Sequence, residues 1–138
     1  MARASTIAID GPVAVGKSVV GKAVADQLGY RFLDTGAMYR AITWLALVQG
    51  VDPADGETLA KTAREAGIAF SPPTANDGRA YSVFIGEMDV TWEIRSREVD
   101  QHVSRVSMLP GVREALTERQ REIARDGRIV MVGRDIGT

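Results

Sequence analysis

The sequence contains no cysteine and a single histidine, His102, among its 138 residues. It can therefore form no disulfide and no thiolate metal site, and one histidine is too few for the clusters typical of zinc proteins. Seventeen basic and eighteen acidic residues nearly cancel, so the composition gives no indication of binding to nucleic acid or to an anionic membrane. No apolar run approaches the ~18 residues of a membrane span, and no signal sequence is evident. We expect a cytoplasmic protein.

The length is within the range of one folded domain with a core of its own. A second full domain is not expected. We therefore predict a single domain over residues 1–138.

A glycine-containing segment at residues 9–18, Ile-Asp-Gly-Pro-Val-Ala-Val-Gly-Lys-Ser, joins a short apolar strand to the first helix. Its spacing is that of a Walker A phosphate loop, in which backbone N–H groups and the helix N-terminus surround phosphate oxygens. Lys17 would reach the β and γ phosphates, and the Ser18 hydroxyl would bind Mg²⁺. The residues assigned to the nucleotide are Gly11, Pro12, Val13, Ala14, Val15, Gly16, Lys17, Ser18 and Val19.

Strands and helices alternate along the chain, which predicts an α/β fold with a parallel sheet of the phosphate-loop NTPase type. The core strands are expected at residues 6–9, 31–33 and 128–132. Between the second and third, residues 68–71, 80–85 and 88–90 read as a small antiparallel insert. The helix stripes expected to face the core are Val20, Val24 and Leu28 in the first helix, and Met38, Ile42, Leu45 and Val48 in the second.

Each core strand is followed by a polar motif: Asp10-Gly11, Asp34-Thr35-Gly36 and Gly133-Arg134-Asp135. Parallel sheets bind ligands beyond the carboxyl ends of their strands. We therefore expect these three motifs to converge on one site.

Five segments carry a family resemblance: Ile-Asp-Gly-Pro at 9–12, Phe-Leu-Asp-Thr-Gly-Ala-Met-Tyr-Arg at 32–40, Asp-Val-Thr-Trp-Glu-Ile-Arg at 89–95, Val-Arg-Glu-Ala-Leu at 112–116 and Gly-Arg-Asp-Ile-Gly-Thr at 133–138. In this order, and over the whole chain, they resemble bacterial cytidylate kinase. The resemblance implies transfer of the γ-phosphoryl group of ATP to CMP or dCMP with Mg²⁺. It also implies a nucleoside-monophosphate-binding insert at about residues 36–106, a lid that carries arginines, and a monomeric full-length form.

The resemblance also assigns the charged residues around the phosphates. Lys17, Arg40 and Arg134 would be catalytic, with Arg40 and Arg134 gripping the α-phosphate of the acceptor. Phosphoryl transfer depends on positioning and charge neutralisation, and the guanidinium fork suits a phosphate well.

For the acceptor's base and sugar, the resemblance points to Thr35, Ser104, Arg113 and Asp135. A carboxylate at Asp135 would accept a hydrogen bond from the 4-amino group of cytosine, where uracil has a carbonyl. That difference would select C over U.

The sequence departs from the family pattern at two points. Val132 stands where many relatives carry an acidic residue that could organise the magnesium shell, and Asp10 or Asp34 could substitute for it through water. The chain also stops at Thr138, so the later strands and the lid are expected to be missing.

Two alternatives stay open. One is another phosphate-loop small-molecule kinase, of the shikimate or gluconate kinase type; the other is a fragment that binds nucleotide without turnover. A regulatory GTPase is disfavoured, because the only asparagine, Asn76, is followed by Asp77, and the guanine motif Asn-Lys-x-Asp is absent.

Overall fold

The structure is a computed structural model that describes residues 6–10 and 17–133. Its strands are β1 Thr6–Asp10, β2 Arg31–Asp34, β3 Ile68–Ser71, β4 Ser82–Ile85, β5 Met88–Asp89 and β6 Ile129–Gly133. Its helices are α1 Lys17–Leu28, α2 Thr35–Val48, α3 Gly56–Glu65, α4 Arg97–Ser107 and α5 Pro110–Ala124, with one 3₁₀ turn at Glu93–Arg95.

The chain forms two compact units. The first consists of Met1–Gly36 and Gln120–Thr138, and the second of Ala37–Arg119. The single domain and the insert boundaries at about 36–106 stay predictions.

The first unit contains a parallel sheet in the order β1-β6-β2. The prediction of an α/β fold with a parallel core is confirmed. Asp10 pairs with Gly133, and Asp34 pairs with Val132. The carboxyl ends of all three strands therefore lie level at one edge of the sheet.

Helix α1 contacts the sheet through small residues. Gly21 and Ala25 are its buried positions, and a Cβ added to Gly21 would overlap Val132 Cγ2. The predicted stripe is wrong at Val20, which is 56% exposed, and at Leu28, which is 50% exposed, whereas Val24 is half-buried. The helix lies too close to β6 for branched side chains to fit between them.

Helix α2 follows β2 without an intervening loop, at Thr35. Met38 and Ile42 are fully buried, as predicted, whereas Val48 is 57% exposed and its prediction is wrong. Val48 is the last residue of the helix, and Ala41 and Ala46 are buried instead.

The second unit contains the antiparallel sheet β3-β4-β5, as the turn glycines and alternating apolar residues predicted. Ser96 is the N-cap of α4 and accepts a hydrogen bond from the Val99 N–H at 3.3 Å. The side chains with 1% exposure or less that line this unit's core include Ile42, Leu59, Ile68, Val83, Val90, Ile94, Val99 and Val106.

No helix in the described ranges 6–10 and 17–133 is long and apolar enough to cross a membrane.

Candidate functional site

The first turn of α1 is tied to the carboxyl ends of two strands. Lys17 Nζ donates a hydrogen bond to the Gly133 carbonyl at the end of β6, at 3.1 Å. Ser18 Oγ donates to Asp34 Oδ2 at the end of β2, also at 3.1 Å. With Asp10 in register beside Gly133, the three strand ends lie side by side. The convergence of their motifs on one site stays a prediction, because Gly11, Arg134 and Asp135 lie outside the described residues.

Asp34 also explains why α2 starts directly after β2. Its second oxygen, Oδ1, accepts a hydrogen bond from the Gly36 N–H at 3.0 Å, which satisfies one of the backbone donors left open at a helix start. One carboxylate therefore holds both the α1 hydroxyl and the N-terminus of α2.

The donor set at this edge suits a hard cation. A hydroxyl and a carboxylate are oxygen ligands of the kind that Mg²⁺ prefers, whereas Val132, level with Asp34, is apolar and fully buried. Within the described part of the chain no group of three or more His, Cys, Asp or Glu side chains could enclose a metal by itself. A cation bound at Ser18 would need phosphate oxygens and waters, which is how Mg²⁺ accompanies nucleotides. The residues therefore fit a magnesium ion delivered with its nucleotide.

Several assigned residues lie outside the described ranges: Gly11, Pro12, Val13, Ala14, Val15, Gly16, Arg134 and Asp135. Their roles stay predictions. Val19 is described; it is the third residue of α1 and is 74% exposed.

Arg40, on α2, is already engaged in an ion pair. Its Nη1 lies 2.6 Å from Asp100 Oδ1 on α4 and donates to the Ile94 carbonyl at 3.1 Å. The Arg40 side chain remains 27% exposed. The sequence analysis missed Asp100, because nothing local links residues sixty positions apart.

The remaining predicted acceptor residues differ in their surroundings. Thr35, the first residue of α2, is 4% exposed. Arg113, on α5, is exposed, and its charge acts on Tyr39: burial raises the pKa of the Tyr39 hydroxyl, and Arg113 opposes that rise. Ser104 is exposed on α4, where its carbonyl accepts a hydrogen bond from Ser107 Oγ at 2.8 Å. The structure therefore places Arg113 near Tyr39, the neighbour of Arg40 in the chain.

A polar cluster in the second unit escaped the sequence analysis. The Arg79 side chain is only 7% exposed; it contacts Asp77 through Nε and Nη2, and Asp89 Oδ2 through Nη1 at 2.6 Å. Hydrogen bonds from Thr91, and then from Arg79, lower the pKa of Asp89 to about 2. Arg79, and then the indole N–H of Trp92, lower the pKa of Asp77.

The Arg79 cluster ties the loop of residues 72–79 to β5. In the sequence, the acidic residues Asp77 and Asp89 near Arg79 were the one indication of this cluster. Their pairing could be predicted only once the β4-β5 hairpin was known. The cluster therefore has a structural role in the second unit.

Comparison with known proteins agrees with this geometry. A family model described as "Cytidylate kinase" matches residues 7–138. The cytidylate kinase of Herpetosiphon aurantiacus is 51% identical over 132 residues, which are 96% of this chain and 58% of that protein. That of Roseiflexus castenholzii is 49% identical over 139 residues, and that of a Listeria monocytogenes strain 49% over 138. Each alignment covers the whole chain and 60% or 59% of the relative, so the chain spans about three fifths of these curated relatives.

Proposed function

We propose that the whole protein transfers the γ-phosphoryl group of ATP to CMP or dCMP, because this chain belongs to the cytidylate kinase family. The observation that supports this most directly is the first turn of α1, where Lys17 and Ser18 meet the ends of β6 and β2. The ammonium group of Lys17 and the hydroxyl of Ser18 lie at a helix N-terminus, on the edge of the parallel sheet where its strands end. Such a position suits the binding of a polyphosphate.

The chain's own residues divide the work. Lys17 holds the β and γ phosphates as a point charge, and its bond to the Gly133 carbonyl keeps the ammonium at the sheet edge. Ser18 offers its hydroxyl oxygen to Mg²⁺. When bound there, the ion would supply positive charge that offsets the negative charge of the phosphates.

On the acceptor side, Arg40 and Arg134 grip the phosphate of CMP, which places its oxygen for in-line attack and offsets the charge of two anions brought together. Thr35, Ser104 and Arg113 hold the base and sugar. Asp135 accepts a hydrogen bond from the cytosine 4-amino group and so disfavours uracil. We also propose that the enzyme is a cytoplasmic monomer with no nucleic-acid or membrane partner.

The test is a coupled assay of ADP release by the whole protein, with CMP, dCMP, UMP, AMP and shikimate as acceptors. We expect CMP and dCMP to be preferred. Lys17→Ala should lower the rate by a factor on the order of 10² or more, with an unchanged circular dichroism spectrum, because Lys17 is a ligand and not a core residue.

Lys22→Ala is the matched control, since Lys22 lies on the same helix and pairs with Asp26. It should retain wild-type turnover. Normal ATP affinity and turnover in Lys17→Ala, or a preference for shikimate, would refute the proposal.

A further inference from the structure

The hydrogen bond between Ser18 and Asp34 has a direction that matters for metal binding. A serine hydroxyl carries one proton and two lone pairs. Asp34 Oδ2, as part of a carboxylate, only accepts, so the proton of Ser18 points toward it. The lone pairs of Ser18 Oγ therefore point away from Asp34, where a cation can use them.

At the end of β6, the described side chains give Ser18 no such contact. Val132, in register with Asp34, has no oxygen in its side chain and is fully buried. Gly133 contributes its carbonyl to Lys17. Asp34 is thus the carboxylate at this edge that the structure joins to Ser18.

Asp34 is also fixed in place. Its Oδ1 accepts from the Gly36 N–H at 3.0 Å, and its backbone lies in β2 beside β6. A carboxylate held in this way can orient a metal ligand and raise its basicity.

We propose that Asp34 is the positioning residue of the magnesium site: it accepts a hydrogen bond from the Ser18 hydroxyl and so turns the lone pairs of that oxygen toward Mg²⁺ bound with a nucleotide. The inference rests on the proposed function, in that it takes Ser18 as the metal ligand.

The experiment measures Mn²⁺ binding to the whole protein saturated with ADP, by the electron paramagnetic resonance of free Mn²⁺. ADP affinity is measured separately in EDTA by calorimetry. Asp34→Asn keeps an acceptor for Gly36 but removes the charge, and its amide can donate to Ser18, which reverses the hydrogen bond. We expect it to weaken Mn²⁺ binding about 10- to 100-fold and to leave ADP affinity in EDTA within about twofold.

Asp26→Asn is the matched control, because Asp26 is an exposed carboxylate on α1 that pairs with Lys22. It should bind Mn²⁺ as the wild type does. The proposal is overturned if Asp34→Asn binds Mn²⁺ normally, if Asp10→Asn alone weakens Mn²⁺ binding, or if Asp34→Asn loses equal affinity for ADP with and without metal. The last result would make Asp34 purely structural.

Failure of the kinase proposal looks different. A protein that binds Mn²⁺ and ADP in the way described but does not phosphorylate CMP would refute the function and leave the role of Asp34 standing. A protein that phosphorylates CMP while Asp34→Asn binds Mn²⁺ normally would refute only the role of Asp34.

Discussion

Arg40 Nη1 and Asp100 Oδ1 lie 2.6 Å apart, and the same nitrogen donates to the Ile94 carbonyl. This nitrogen therefore contacts both a carboxylate and a carbonyl oxygen. The positive charge of Arg40 is partly compensated by the chain's own carboxylate before any ligand arrives. If Arg40 grips the acceptor's phosphate, Asp100 and that phosphate compete for the same cation.

Removing the charge of Asp100 should therefore favour the acceptor. We expect Asp100→Asn in the whole protein to lower the KM for CMP about two- to fivefold, since exposed ion pairs are worth about 0.2–1 kcal/mol. The Asn oxygen can still accept from Arg40, so the guanidinium keeps its position. Steady-state kinetics at two ionic strengths measure this, and the effect should shrink at high salt.

Asp100→Ala separates charge from positioning. A similar fall in KM supports competition, whereas a rise would mean that Asp100 orients Arg40 for the phosphate. A KM unchanged in both variants would place Arg40 away from the acceptor.

The contact between α1 and β6 should tolerate no extra methyl group. Gly21→Ala is expected to lower the free energy of unfolding by up to about 2 kcal/mol, because an overpacking cost of about 1–3 kcal/mol is offset only in part by a helix-propensity gain of about 1. Urea denaturation measures the change. Gly56→Ala is the control, since its Cβ would meet Leu109 at an ordinary 3.5 Å.

A Val132→Ala background should reduce the penalty at Gly21, because it removes the atom that the new methyl group meets. An equal penalty in both backgrounds would show that Val132 is not its cause.

The Arg79 cluster should make the second unit sensitive to acid. The folded-state pKa of Asp89, about 2, lies below its ordinary value of 3.8, so its stabilising effect is present above pH ~4 and is lost as the pH falls toward 2. We expect the denaturation midpoint to fall over this interval. Asp89→Asn should flatten that dependence, whereas the exposed Asp126→Asn should not.

Trp92 offers a local signal for the same transition, since its indole N–H donates to Asp77 Oδ2 at 2.8 Å. In a Trp44→Phe background, Trp92 is the sole tryptophan. Its fluorescence should change together with the loss of stability below pH ~4. The prediction would be contradicted if the denaturation midpoint of Asp89→Asn depended on pH as strongly as that of the wild type.

Residues 1–138 expressed alone should self-associate. In the described sheet, β1 has β6 as its one neighbour, and an open strand edge invites pairing with another chain. Val19, Val20 and Leu28 of α1 are each at least half exposed. Sedimentation velocity should show species larger than the monomer, and Val20→Lys with Leu28→Lys should reduce them.

Met108→Lys is the control for added charge, because Met108 is 75% exposed at the end of α4, in the other unit. It should leave the association unchanged. A wild-type chain that stays monomeric at all concentrations would refute the prediction.

Much of this fold could be predicted from local patterns. The insert strands expected at residues 68–71, 80–85 and 88–90 correspond to β3, β4 and β5. The buried face of α1 could not be predicted in this way, because a pattern of apolar residues always assigns valines to the buried face of a helix. Which face packs depended on how closely α1 approaches β6, and that distance selects Gly21 and Ala25.

The candidate site shows the same division. The motif alone predicted roles for Lys17 and Ser18, but it did not indicate that Asp34 accepts a hydrogen bond from Ser18. The pairing of Arg40 with Asp100, and of Arg79 with Asp89, depends on side chains brought together from separate elements. No repeating pattern in the sequence predicts such contacts.

The strand order β1-β6-β2 also has a consequence for biosynthesis. A ribosome releases β1 and β2 early, yet both pair with β6, which emerges about a hundred residues after β2. The stretch 37–119 is continuous and is finished before that. Because contacts close in sequence form sooner than distant ones, the nascent chain should fold its second unit before β6 is available to β1 and β2. Until then, the apolar residues of these two strands should be exposed and open to binding by chaperones.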